Sequence, residues 1–273
     1  MPAIQPARLQ KQSAELVAQF NDPAEFVRKL YNYLESYADR THRPGQAGDH
    51  PSLIQAYGVR SPVIRQVVKD LTPLAKENPA VSLELCDALW EQPVLEFRQI
   101  SAYMLGFIKT KSSNSVIDRI KIFINKETDD RLIDELLIYG LANARTNHPH
   151  SVYALIDDWF ATKDPFFLKI GLRSLIPLSK EGGIKNLPII YKLIQPFVRN
   201  HSLEYFPDLT ELIDVLAHQS PQETGHFLSQ TLDLTNSPDT ALLIRQCIYS
   251  FPSDIQTSLR NDLRRFRDQQ LGV

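Results

Sequence analysis

The sequence has little of what usually announces a function. Its 273 residues include only two cysteines, Cys86 and Cys247. So few thiols exclude a disulfide scaffold and suggest a reducing compartment, where both read as small core residues. Neither GxGxxG nor GxxxxGK[ST] occurs, which excludes the common nucleotide-binding loops. Seven histidines form no HExxH and no cluster with cysteine, so no metal site is implied. The absence of GxSxG removes the nucleophile elbow of a serine hydrolase. No run approaches the ~18 apolar residues of a membrane span, and the N-terminal MPAIQPARLQ lacks a signal core. These absences describe a soluble cytoplasmic protein with no cofactor. With 30 Lys plus Arg against 32 Asp plus Glu, the net charge of −2 supplies no bulk positive field. Any anion-binding surface must therefore be local.

What the sequence does have is regular punctuation. A polar residue precedes proline at Asp22-Pro23, Ser61-Pro62, Asn78-Pro79, His148-Pro149, Asp164-Pro165, Ser220-Pro221 and Ser237-Pro238. Proline suits the first helical position, where its missing N–H would have been unpaired anyway. The pattern predicts helices near 8–20, 23–40, 62–76, 79–91, 94–110, 113–126, 129–146 and 149–161. More follow near 164–180, 184–198, 203–218, 221–232, 238–251 and 253–270. Starts at 62, 94, 129, 164, 203 and 238 recur every 32 to 39 residues, the length of a two-helix unit. The expected fold is all-α, an α-solenoid of about six HEAT-like repeats in a single domain. Residues 1–60 form a helical cap and loop, and 61–273 form the repeats. Thr41 to Arg60 reads as an irregular loop, and Glu181-Gly182-Gly183 as a helix C-cap turn.

The stretch DDRLIDELLIYGLANAR, Asp129 to Arg145, reads as one amphipathic helix. Asp129 and Asp130 suit its first turn, where the helix dipole favours carboxylates. Asp134 lies one turn further on, at the border of the apolar stripe and beyond ordinary capping. It is either an exposed flank or a carboxylate aimed into a groove. Upstream, YGVRSPVIRQVVKDL runs a glycine turn into a capped helix with Arg65 and Lys69 on one face. That helix start and its two cations can hold a phosphate, and they can equally be two solvated charges. In LWEQPVLEFRQ, two helices meet at a proline, with Trp90 and Phe97 read as core.

The pairing of those two strings resembles the DNA alkylation repair family of HEAT-like DNA glycosylases. The similarity extends through the Asp129 helix, His148-Pro149 and Trp159 to Phe167 and Lys169. The resemblance implies duplex DNA cradled on a concave face and removal of positively charged N3- or N7-alkylpurines by a monomer. It implies a catalytic aspartate at Asp134, beside the deoxyribose, stabilising oxocarbenium-like charge and positioning water. Lys169 falls where the family often has an arginine and would contact a phosphate near the lesion. Two family tryptophans are replaced, one by Asp130 and one within Leu209 to Ile213. Their loss removes stacking and cation–π walls, and Asp130 adds a charge that raises a neighbouring pKa if the pair is buried.

Under the repeat register, the first helices of successive units supply Arg65 and Lys69, Arg98, Arg131 and Arg145, Lys169 and Arg173, and Arg245. Such a row would follow a phosphate backbone. The helix near 203–218 interrupts it with Glu204, Asp208, Glu211 and Asp214. The arginines at 260, 264, 265 and 267 either extend the basic surface or complement a helix C-terminus. Three readings remain open from sequence: an alkylpurine glycosylase, a non-catalytic relative that binds unusual DNA structures, and a HEAT scaffold for protein partners.

Overall fold

The computed structural model describes residues 5–38, 54–109, 114–180 and 187–270. The fold is all-α and solenoid-like, and helices follow one another at nearly every position the prolines mark. Much of the Thr41–Arg60 loop and the whole Glu181–Gly183 turn lie outside the described residues. Among the described residues, no helix is long and apolar enough to cross a membrane. The chain forms two compact units, Met1–Tyr153 and Ala154–Val273.

The first unit contains α1 (Pro6–Val17), α2 (Pro23–Tyr37), α3 (Ser61–Glu77), α4 (Pro79–Trp90), α5 (Leu95–Leu105) and α6 (Asn114–Phe123). α7 (Asp130–Glu135), a π-helical turn over Leu136–Gly140 and α8 (Ala142–Asn147) follow. One row of helices runs α1, α3, α5, then α7 with the π turn, each packed on the one before. A second row pairs α2 with α4, and α4 joins the rows through its extensive contact with α5. Prolines at the starts of α2, α3 and α4 occupy the predicted first-turn positions. Asp22 caps α2 by accepting from the Glu25 N–H. The core is aliphatic and aromatic: Phe26, Leu30, Leu71, Leu89, Phe97 and Met104 are fully buried. Trp90 stacks on Phe123 with ring centroids 4.2 Å apart, as suits a core residue.

The two family-like strings meet in space. Gly58 has φ +65°, a left-handed conformation that favours glycine. Beside it, Tyr57 and Val59 donate their backbone N–H groups to the two carboxylate oxygens of Glu96, at 3.1 and 3.3 Å. Leu95 N–H donates to the Gln55 carbonyl at 2.8 Å. Glu96 is only 3% exposed, so this clamp gives a buried carboxylate its partners. It also fixes the segment that leads into α3.

The second unit contains α10 (Pro165–Lys180), α11 (Leu187–Arg199), α12 (Phe206–Gln219), α13 (Pro221–Thr235), α14 (Pro238–Cys247) and α15 (Ser253–Gln270). The unit boundary falls within α9 (Pro149–Ala161). Here α10, α12 and α14 form one row, and α11, α13 and α15 the other. Trp159 is buried. Cys86 and Cys247 are both buried free thiols, and burial pushes each thiol pKa up to about 12. They are inert core residues, as the sequence predicts.

Candidate functional site

The helix predicted over 129–146 is not continuous. After α7, the Leu141 N–H reaches back to the Leu136 carbonyl, five residues earlier, at 3.0 Å. This leaves the Leu137 carbonyl without its usual partner. Arg145 fills the gap: its Nη1 donates to the Leu137 carbonyl and its Nη2 to the Ile138 carbonyl at 2.6 Å. Arg145 is 7% exposed. The sequence reading placed it in a surface row of cations, whereas its guanidinium instead stabilises the π turn. The signal was present in the sequence, since Arg145 follows Leu137 and Leu141 at four-residue spacing on the buried stripe.

Two glycines let the π turn approach α5. A Cβ on Gly106 would lie 2.0 Å from the Tyr139 carbonyl oxygen, and one on Gly140 would lie 3.4 Å from the Ala102 carbonyl oxygen. The close approach brings side chains from α5 and α7 together. Gln99 Nε2 donates to Glu135 Oε1 at 2.7 Å, and the Tyr103 hydroxyl lies 3.5 Å from the same oxygen. Glu135 Oε2 is buried and finds no hydrogen-bond partner among the described residues. Burial is the main influence on this carboxyl and raises its pKa to about 7, against the pull of Gln99 and the nearby Arg131. Burial, with Glu135 adding to it, also pushes the Tyr103 phenol up to about 12. The Tyr103 and Tyr139 rings are 4.7 Å apart and tilted by 53°. Tyr139 remains 45% exposed, and its neighbour Ile138 42%.

None of Gln99, Tyr103, Glu135 or Tyr139 was singled out from the sequence. Their spacing was nevertheless legible: Gln99 and Glu135 are 36 residues apart, close to the repeat period, and so are Tyr103 and Tyr139. Residues one period apart on neighbouring helices of a row face each other.

Asp134 is half-buried on α7, immediately before Glu135 and turned about 100° from it around the helix axis. Asp130 is exposed in the first turn of the same helix. Asp129 caps the helix by accepting from the Arg131 N–H at 3.0 Å. Arg65 and Lys69 are exposed on α3, and Arg65 is close enough to Tyr103 to favour its ionised form. Arg98 is more constrained. Its Nε donates to the Trp90 and Gln92 carbonyls, both at 3.0 Å, and its guanidinium sits 5.4 Å from the Trp90 ring centre. Desolvation lowers its pKa. Any phosphate contact from Arg98 must therefore use its remaining nitrogens.

The second unit carries Lys169 and Arg173 half-buried one turn apart on α10, and Arg245 exposed on α14. Between α12 and α14 runs a groove lined by Phe206, Thr210, Glu211, Asp214 and Gln246. Two of its lining residues, Glu211 and Asp214, are acidic. Glu211 pairs with Lys180 at 3.1 Å, and Asp214 with His218 at 3.6 Å. Leu209, Leu212 and Ile213 point into the core.

Residues 30–224, well over half of the chain, match the family model described as DNA alkylation repair enzyme. The chain belongs to that family. Membership supports a role in DNA alkylation repair, with DNA as substrate or partner. The match covers part of each unit and every residue of the α5–α7 cluster. Searches of curated proteins and of solved structures found no match.

Proposed function

We propose that this family member binds duplex DNA and hydrolyses the N-glycosidic bond of N3- or N7-alkylated purines. The observation that carries the reading lies in the first unit, where α3 and α7 belong to one helix row. That row presents Arg65 and Lys69 from α3, and Asp134 from α7. Arg65 and Lys69 contact phosphates, as does Arg98 through its free nitrogens. In the second unit, Lys169, Arg173 and Arg245 play the same part.

The chemistry suits a carboxylate. As the bond between C1′ and the alkylated base breaks, its electron pair goes to the base and cancels the base's positive charge. Positive charge then builds on the sugar, where Asp134 stabilises it, and a water molecule adds to C1′ and loses a proton. No cofactor is required. Asp130, exposed a turn away, modulates the local field only weakly through solvent.

A second reading has its own observation. Asp130 and the Leu209–Ile213 stretch replace the tryptophans of catalytic relatives, and this favours a non-catalytic protein that binds unusual DNA structures. The two readings separate on one assay, release of alkylpurines from alkylated duplex DNA. Release that Asp134→Asn abolishes supports the first. Tight, salt-sensitive duplex binding without release supports the second. Absence of both returns the protein to a HEAT-like scaffold for protein partners.

A further inference from the structure

The carboxyl of Glu135 costs the fold stability where it stands. Its Oε2 is buried and finds no partner among the described residues, and an aliphatic side chain would fill the same space without that penalty. What the carboxyl adds is direction. Leu132, Ile133, Leu136 and Leu137 bury one side of α7 and the π turn, but aliphatic contact is indifferent to angle. The bond from Gln99 Nε2 to Glu135 Oε1, at 2.7 Å, is not.

That bond falls at a mechanical boundary. α7 is only six residues long, Glu135 is its last residue, and the π turn begins at Leu136. The regular α-helical ladder therefore does not run on from α7 into α8, and the rotation of α7 is set by what ties it to its surroundings. Asp129 caps its first turn, and Glu135 ties its last turn to α5. Asp134 is the residue next to that tie, about 1.5 Å away along the axis and about 100° around it. Helical side chains reach roughly 5–6 Å from the axis, so turning α7 by about 10° moves the Asp134 carboxylate by about 1 Å. Misplacement on that scale lowers the rate of a chemical step by up to about a hundredfold.

We propose that Gln99 and Glu135 are positioning residues for Asp134, the hydrogen bond between them setting the rotation of α7 and so the aim of the Asp134 carboxylate. This deepens the glycosylase reading above and rests on it. Neither residue touches DNA in this role. The aim of the reacting carboxylate comes from α5, the preceding helix of the row, and Gly106 adds a second hold by letting the Tyr139 backbone reach the end of α5.

The test measures release of alkylpurines from alkylated duplex DNA by the intact chain, resolving kcat and KM, with duplex binding and thermal unfolding followed on the same samples. Gln99→Met keeps the side-chain volume and removes the donor. It is expected to lower kcat about tenfold or more, with KM and duplex binding within about twofold of the wild type. Gln99→Glu sets two carboxyls face to face. It is expected to work at acid pH, where they share a proton, and to lose kcat as pH rises and both ionise. The other titratable and charged groups acting on Glu135, namely Tyr103 on α5, Arg131 on α7 and Asp129 at its cap, are the same in every variant. Adding Glu135→Gln to Gln99→Glu exchanges donor and acceptor and is expected to restore kcat at both ends of the pH range. Wild-type kcat in Gln99→Met, or a double variant as impaired as Gln99→Glu alone, overturns the positioning role and leaves the glycosylase reading standing. No release by the wild type overturns the glycosylase reading, and the positioning role with it.

Discussion

Gln99 and Glu135 share a 2.7 Å hydrogen bond that ties α5 to α7, and it occupies only one oxygen of the carboxyl. The other oxygen is buried without a partner among the described residues, which disfavours the ionised form. That asymmetry links the stability of the fold to pH.

Stability should fall as pH rises through the range in which Glu135 ionises. Its folded pKa of about 7 lies above the ordinary value of 4.5, so between those limits the folded state binds more protons than the unfolded state. By linkage, stability is greatest at the acid end of that window and declines toward its upper end, by on the order of 2 kcal/mol for a group this buried. Glu135→Gln keeps the hydrogen-bonding shape and removes the charge. Denaturant unfolding at pH 5 and pH 8 should show the variant gaining on the wild type at the higher pH. Parallel pH profiles would contradict this assignment.

Gly106→Ala should be strongly destabilising. Its new methyl would meet the Tyr139 carbonyl at 2.0 Å, and that obstacle is backbone, which cannot rotate away. Overpacking of this kind costs about 2–3 kcal/mol. Thermal unfolding gives the cost, and a loss of the Tyr103–Tyr139 contact in NMR would show that α5 and the π turn have moved apart.

Arg145→Ala removes the donors for two carbonyls of the π turn. Leaving the Leu137 and Ile138 carbonyls under-satisfied should cost about 3 kcal/mol. Faster amide exchange over Leu136–Leu141, with α3 and α4 unaffected, is the expected signature. Uniform loss of protection would point to global unfolding instead.

Much of the fold was legible because helix starts are chemical events at single residues. Asp22, Asn78 and Ser237, each followed by proline, mark helices that begin where predicted. The cluster between α5 and α7 was less legible for a physical reason. Glu135 follows Asp134 directly, and pattern alone does not tell which of two adjacent carboxylates at the edge of an apolar stripe turns toward a neighbouring helix. The π turn depends on Arg145 reaching back seven and eight residues to carbonyls, a contact outside the three- and four-residue spacings of an α-helix. Glu96 was not singled out from the sequence, yet it clamps the Tyr57–Val59 backbone.

DNA binding should be carried by few cations. Removing Arg65 and Lys69 together should reduce the slope of log binding constant against log salt by about 2, with no change in sequence preference. A slope that stays the same would place the DNA elsewhere on the molecule.

The most direct test of the account uses alkylated duplex DNA and measures released 3- and 7-alkylpurines for the wild type and Asp134→Asn. The account predicts release by the wild type and a loss of about a hundredfold or more in the variant, with duplex binding retained. No release by the wild type, or equal release by both proteins, would contradict it.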